Sequence, residues 1–228
     1  VQSCTSEYQL KVVLSVVSDI KGGAQMRLQR QDLLTVRITI VKASARHPLV
    51  TKVLIKNYFI VMNMKFNPML TPKKMLQKGI FGGTYFSRLI DIEDFPSNWF
   101  CELDKKYYLS KNYNIETNYF KIKSGLSQKQ WEVKGWIHRD DPRGWFEWYC
   151  KYSLGRRHED DARQIKRWLA FCGPKGRWRN IIYRKIYNAD CKIDFSWNIS
   201  RRIQQSLLHW SYVVNEDDYE NWKRSILS

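Results

Sequence analysis

The reactive side chains of this sequence crowd into one stretch, "GWIHRDDPRGWFEWYCKYSLGRRHEDDARQIKRW", residues 135–168. His138 stands beside Arg139, Asp140 and Asp141, and a His–Asp neighbourhood is the raw material of a general base. Glu147 follows, and Asp160 and Asp161 close the run. Carboxylates that converge from separate positions can hold a divalent cation through oxygen. Asp160 and Asp161 with Glu147, or with Asp140 and Asp141, are the set that would do so. The weak catalytic candidates are therefore His138, Asp140, Asp141, Glu147, Asp160 and Asp161. A structural account competes with each of them. A histidine beside a helix cap is commonly structural. Acids at a helix start stabilise its positive end, and Arg156 and Arg157 can pair with Asp160 and Asp161 across a turn. Cys150, flanked by aromatics, reads as a small buried apolar residue rather than a nucleophile.

Basic residues are the stronger signal. The net charge is +17 over 228 residues, and from Arg143 to Arg202 there are 15 Lys and Arg against six Asp and Glu. A surface this basic attracts polyanions. The bases interleave with aromatics, as in "GPKGRWRNIIYRKIY", which fits phosphate contacts combined with base stacking. The expected nucleic-acid contacts are Arg156, Arg157, Arg163, Lys166, Arg167, Lys175, Arg177, Arg179, Arg184, Lys185, Arg201 and Arg202. The turn Gly173–Gly176 leads into a helix whose first amides suit a phosphate. A solvated basic rind is the competing reading of the same residues.

Several classes find no support. There is no GxGxxG, P-loop, GxSxG, HExxH or EF-hand pattern. Five cysteines, odd in number and without a CxxC pair, argue against a zinc ribbon and fit a reducing compartment. No apolar run approaches the ~20 residues of a membrane span, and no signal-peptide pattern opens the chain. The expected setting is intracellular, cytoplasmic or nuclear, with DNA or RNA as partner, no membrane, and a protein partner as a further option. No cofactor is expected; a divalent cation is the metal the acids would suit.

The elements that must position these residues differ along the chain. Residues 1–61 contain no Trp, whereas all ten Trp lie from Trp99 onward. "LKVVLSVVSDI", "LLTVRITIVKA" and "LVTKVLIKNYFIVM" read as strand candidates. Residues 1–61 are thus expected to be an N-terminal appendage, either β-forming or disordered. The chain opens without Met, and the domain proper would begin near Met62 or Met64. From residue 68 the signals turn helical. Thr71 caps "PKKMLQK", with Pro72 at the first turn and Gly79 past the end. Ser97 or Asn98 caps a short helix in "FPSNWFCEL", "TNYFKIK" alternates like a strand, and Ser127 caps a helix ended by Gly135. Asp141 is expected to cap a helix running to Gly155, with Pro142 in its first turn. On it Trp145, Trp148, Tyr149 and Tyr152 share one face at 100° per residue, with Phe146 and Cys150 adjoining. That face is either core or a base-stacking platform. A further helix follows, ended by Gly173, with Asp161, Ile165, Trp168, Leu169 and Cys172 on one face and its bases towards its end. Three more cover "KGRWRNIIYRKIYN", "ISRRIQQSLLHWSYVV" and "EDDYENWKRSIL". The fold class expected is mainly α, a compact helical domain over 62–228 with a few short strands.

Four blocks, "LTPKKMLQKGIFGGTYF", "DFPSNWF", "KGWIHRDDPRGWFEWYCKYSLGRRHEDDARQIKRW" and "RRIQQSLLHWSY", resemble a family of uncharacterised proteins shared by fungi, algae, plants, some animals and large DNA viruses. The resemblance covers residues 69 to 212 and is weakest between Lys175 and Ala189. It implies a domain starting near residue 64. It brings no activity, so no catalytic residue follows from it. Three functions are carried forward: nucleic-acid binding, a nucleic-acid-processing enzyme with an acidic metal-assisted site, and a structural or assembly protein that binds through an aromatic face.

Overall fold

The computed structural model describes residues 64–87 and 92–227. Residues 1–61, with their strand candidates and expected appendage, lie outside the described residues. The described chain is mainly α, with seven α-helices joined by 3-10 turns. In order they are α1 (Pro72–Gln77), α2 (Gln128–Val133), α3 (Trp145–Ser153), α4 (Asp161–Cys172), α5 (Arg177–Asn188), α6 (Arg201–Leu208) and α7 (Glu216–Leu227). Two units separate: Lys65–Leu154 with Arg163–Ser228 forms one, and Gly155–Ala162 falls in the other.

Local chemistry explains most of the helix ends. Thr71 Oγ1 accepts from Lys74 N, and Pro72 needs no donor at the first turn. Gly79 follows α1 at φ +60°, where a Cβ would run into the carbonyl oxygen of Thr117. Ser127 and Gln130 form a reciprocal capping box on α2. Asn215 Oδ1 accepts from Asp218 N at the start of α7.

Four expectations are corrected. The helix after "DDPRG" starts at Trp145, not at Pro142, and its cap is Gly144 at φ 82° rather than Asp141. Asp141 instead forms an isolated antiparallel bridge with His138, and its carbonyl takes the Gly144 amide. The turn before the helix thus uses Asp141 and Pro142 itself. "TNYFKIK" is not a strand. Asn118 is buried there and satisfies both backbone groups of Ile122, accepting from Ile122 N and donating to Ile122 O, in place of a partner strand. "FPSNWFCEL" yields only a 3-10 turn, Ser97–Trp99, preceded by Pro96 and without a side-chain cap. On α4 the bases sit in the middle, and its last turn has none.

The core of the larger unit forms around α3. Trp148 and Cys150 are fully buried, and Trp145, Phe146 and Tyr149 nearly so. The expected face is realised: Tyr149 stacks on Trp145 at 5.0 Å, and Tyr152 lies 4.9 Å from Trp148. Phe66 packs among Trp148, Tyr149, Tyr152 and Trp168, with ring centroids 5.2–6.2 Å away. A second cluster joins Phe81, Tyr85, Phe86 and Phe146. A third joins Tyr183, Tyr219 and Trp222 where α5 meets α7. Removing one such ring from a core costs about 3–5 kcal/mol.

Polar staples close the unit. Ser211 and Leu70 exchange hydrogen bonds, with Leu70 N donating to Ser211 Oγ at 2.8 Å and Ser211 Oγ donating to Leu70 O at 2.6 Å. On α6 the buried Gln205 donates to Ile80 O and accepts from Phe120 N. These two staples tie the segments around α1 to the C-terminal helices.

Candidate nucleic-acid interface

The acidic candidates do not behave alike. Asp141 and Glu147 are buried, 0% and 3% exposed, and both face Lys151. Lys151 Nζ lies 2.7 Å from Glu147 Oε1 and 3.2 Å from Asp141 Oδ1, and donates to Asp140 O at 2.7 Å. Glu147 Oε2 accepts from Arg143 N. The two carboxylates therefore converge, and the cation they converge on is the chain's own ammonium. Burial without such a partner would be strongly unfavourable. Arg143 extends the cluster, donating to Gln128 Oε1 on α2 and to the carbonyls of Thr84 and Tyr85. Tyr85 OH donates to Arg143 O and accepts from Glu147 N; burial pushes its pKa well up, so it stays a phenol.

His138 Nδ1 accepts from Asp140 N at 3.2 Å, so the Asp140 carboxylate, 3.8 Å away, does not hold an Nδ1 proton as a general-base pair would require. Burial pushes the Cys150 thiol well above its ordinary range, so it is an inert thiol. In the smaller unit, Asp161 Oδ2 accepts from His158 N at 2.9 Å, and Asp161 N donates to His158 O. That is the helix-start role expected of an acid there. Asp160 is buried beside it in sequence, and Arg156 and Arg157 are half-buried.

The basic candidates divide more sharply. Arg179 is buried and pairs with Asp218 at 2.6 Å, beneath Tyr212 and Tyr183. It ties α5 to α7, and its charge is spent there. Arg201 donates to Phe120 O and holds the loop over α6. Arg163 and Arg167 on α4 both donate to Trp136 O, at 3.5 and 3.2 Å. Lys166, Lys175, Arg177, Arg184, Lys185 and Arg202 are exposed. Arg184 lies seven residues after Arg177 on α5, on the same side of the helix.

Arg167 belongs to a larger arrangement. Its guanidinium lies 5.3 Å from the ring centre of Trp136 and 5.3 Å from that of Trp210. Trp210 stacks on Phe171 at 5.0 Å, Phe171 meets Trp178 at 6.0 Å, and Arg177 lies 5.4 Å from Trp178. Lys134 approaches Trp136 at 5.6 Å. The result is a continuous ladder of cations and rings: Lys134, Trp136, Arg167, Trp210, Phe171, Trp178, Arg177. Trp168 fixes its middle by donating Nε1–H to Trp210 O at 2.7 Å. Trp136, at 37% exposed, is an open rung. A cation over a ring face is attracted by the ring's quadrupole, and an arginine can also stack on it.

Nothing in the sequence signals that Trp136, Trp210 and Phe171 share one row, because they are far apart in the chain. Trp136 alone left a trace, a Trp directly after the helix-ending Gly135. Of the two readings of the α3 aromatic face, core or base-stacking platform, the core reading holds: Trp145, Phe146, Trp148 and Tyr149 are buried and Tyr152 is half-buried. No described helix is long and apolar enough to cross a membrane. The chain matches no protein-family model, no curated protein and no solved structure.

Proposed function

We propose that this chain binds nucleic acid, using the cation–aromatic ladder and the exposed bases beside it. The observation that carries this is Arg167 held between Trp136 and Trp210, with Arg177 on Trp178 extending the same row. Lys166 and Lys175 add charge without entering an ion pair among the described residues. Phosphates meet the bases, and exposed bases meet the rings; each stacked base is worth about 1–3 kcal/mol. The net charge of +17 supplies the long-range attraction. Such a partner places the protein in the cytoplasm or nucleus. The resemblance of residues 69 to 212 to an uncharacterised family adds no activity, so the reading rests on this surface.

The test is fluorescence anisotropy of labelled DNA and RNA strands against the protein at rising salt. Binding that weakens steeply with salt is expected. An absence of binding to any polyanion at low salt removes the proposal, and a concentration-dependent mass would then favour an assembly role. The processing-enzyme alternative has one observation in its favour, the convergence of Asp141 and Glu147. A divalent cation there would have to displace Lys151. Strand cleavage on adding magnesium to the same samples would support it.

A further inference from the structure

A second surface of the larger unit bears aromatics that the fold leaves in water. Trp197 is 60% exposed, Phe195 69% and Tyr119 51%. Two of them, Trp197 and Tyr119, border a cavity of about 150 Å³ between the 3-10 turn Ile193–Asn198, Gln204 and Leu208 of α6, the segment 212–214 and the loop around Phe120. Lys78, just past α1, also lines it, with its ammonium 4.5 Å over the Tyr119 ring.

The polar wall is built and one of its atoms is unused. Gln204 is 5% exposed and lines the cavity. Its Nε2 donates to Ser196 O at 2.7 Å and to Ile199 O at 2.9 Å, which fixes the amide's orientation. Its carbonyl oxygen, which has two acceptor sites, accepts no hydrogen bond among the described residues. Ser196 beside it is already satisfied, donating to Ile193 O. The cavity thus offers an apolar ring to stack on, a fixed acceptor for an N–H, and a cation at its mouth. Lys121 and Lys192, both exposed, adjoin lining residues in sequence, against one exposed acid on the turn, Asp194.

That combination selects its occupant. The volume is well below the ~300 Å³ at which sites for drug-sized ligands begin, so it suits one small planar ring. An N–H donor on that ring answers Gln204, and a negative charge attached to it answers Lys78. We infer that the cavity takes a single unpaired base of a nucleic-acid strand, stacked on Trp197 and Tyr119, with its N–H edge to Gln204 and its phosphate near Lys78. This rests on the nucleic-acid reading and sharpens it: the preferred ligand is a single strand rather than a duplex, whose bases are already stacked and paired.

The experiment compares a labelled single strand of about twelve nucleotides with a duplex of the same sequence. Wild type, Trp197→Ala and Tyr119→Ala are measured by anisotropy, with Arg177→Ala as the ladder control. Both Trp197 and Tyr119 are exposed, so their removal leaves the core intact, which circular dichroism checks. Each substitution is expected to weaken single-strand binding by about ten-fold and to leave duplex binding unchanged. Equal single-strand affinity for wild type and both variants, with Arg177→Ala still impaired, overturns the base site alone. An equal loss for strand and duplex also overturns it. If wild type binds neither ligand, the nucleic-acid reading falls and the base site falls with it.

Discussion

His209 shows how a single side chain reports on its surroundings. It stacks on Phe81 at 5.3 Å and shares a hydrogen bond with Ile80 O at 3.1 Å. Burial holds its pKa down at about 4, against an ordinary 6.5, and only the Ile80 carbonyl opposes this. Between those values the unfolded chain takes up a proton that the folded chain refuses, so stability falls as pH falls. Lowering pH from about 7 to about 5 is expected to cost roughly 2 kcal/mol through this one residue. In His209→Gln, which keeps a donor for Ile80 O, that part of the slope in urea-melt stability disappears. An identical slope in the variant would show that the histidine is not held neutral. Arg179 makes the complementary point. Arg179→Met is expected to lose about 2 kcal/mol of stability, less than the ~3–5 of a fully buried pair because Asp218 keeps some contact with water. Nucleic-acid affinity should stay within two-fold; a large fall would return Arg179 to the interface. Its burial was not legible in the sequence, because a basic residue in "GRWRN" looks the same whether it faces water or Asp218, 39 residues away.

Among the elements, sequence signals worked where the chemistry is local. Thr71, Ser127 and Gly79 mark helix ends by contacts within a turn, and all three hold. The aromatic face of α3 follows from helix geometry alone. What failed depends on distant partners. "TNYFKIK" alternates, yet Asn118 and Gln205 absorb its backbone groups and leave no ladder to form. The start of α3 was misplaced because Asp-Pro is a strong cap signal, while the carboxylate of Asp141 is claimed by Lys151, two turns into the helix. Gly144 does the work instead, at φ 82° and ψ −151°, a region essentially reserved for glycine. Gly144→Ala is expected to lower stability by about 1–3 kcal/mol, read as a lower thermal midpoint. The nearest atom to the added Cβ would be Ile137 Cδ1 at 3.4 Å, an ordinary contact, so the loss would measure backbone strain rather than a clash. An unchanged midpoint would mean that the turn relaxes freely.

For the whole molecule, charge and composition spoke first and geometry refined them. The +17 charge and the late concentration of Trp pointed to a polyanion partner and to a helical, aromatic core. They did not separate bases spent inside the fold from bases left exposed. Arg179 and Arg201 are of the first kind, and Lys175, Arg177 and Lys166 of the second. Nor did they separate buried rings from stacking rungs. The ladder assembles Trp136, Phe171, Trp178 and Trp210 from three places in the chain, and only folding brings them into one row. Nucleic-acid binding through the ladder is tested most directly by its salt dependence. Anisotropy titrations of a labelled strand, for wild type and Arg177→Ala, give the slope of log affinity against log salt. The expected result is a steep negative slope for wild type, shallower by about one in Arg177→Ala. No binding at low salt, or a slope that Arg177→Ala leaves untouched, would contradict the ladder as the nucleic-acid interface.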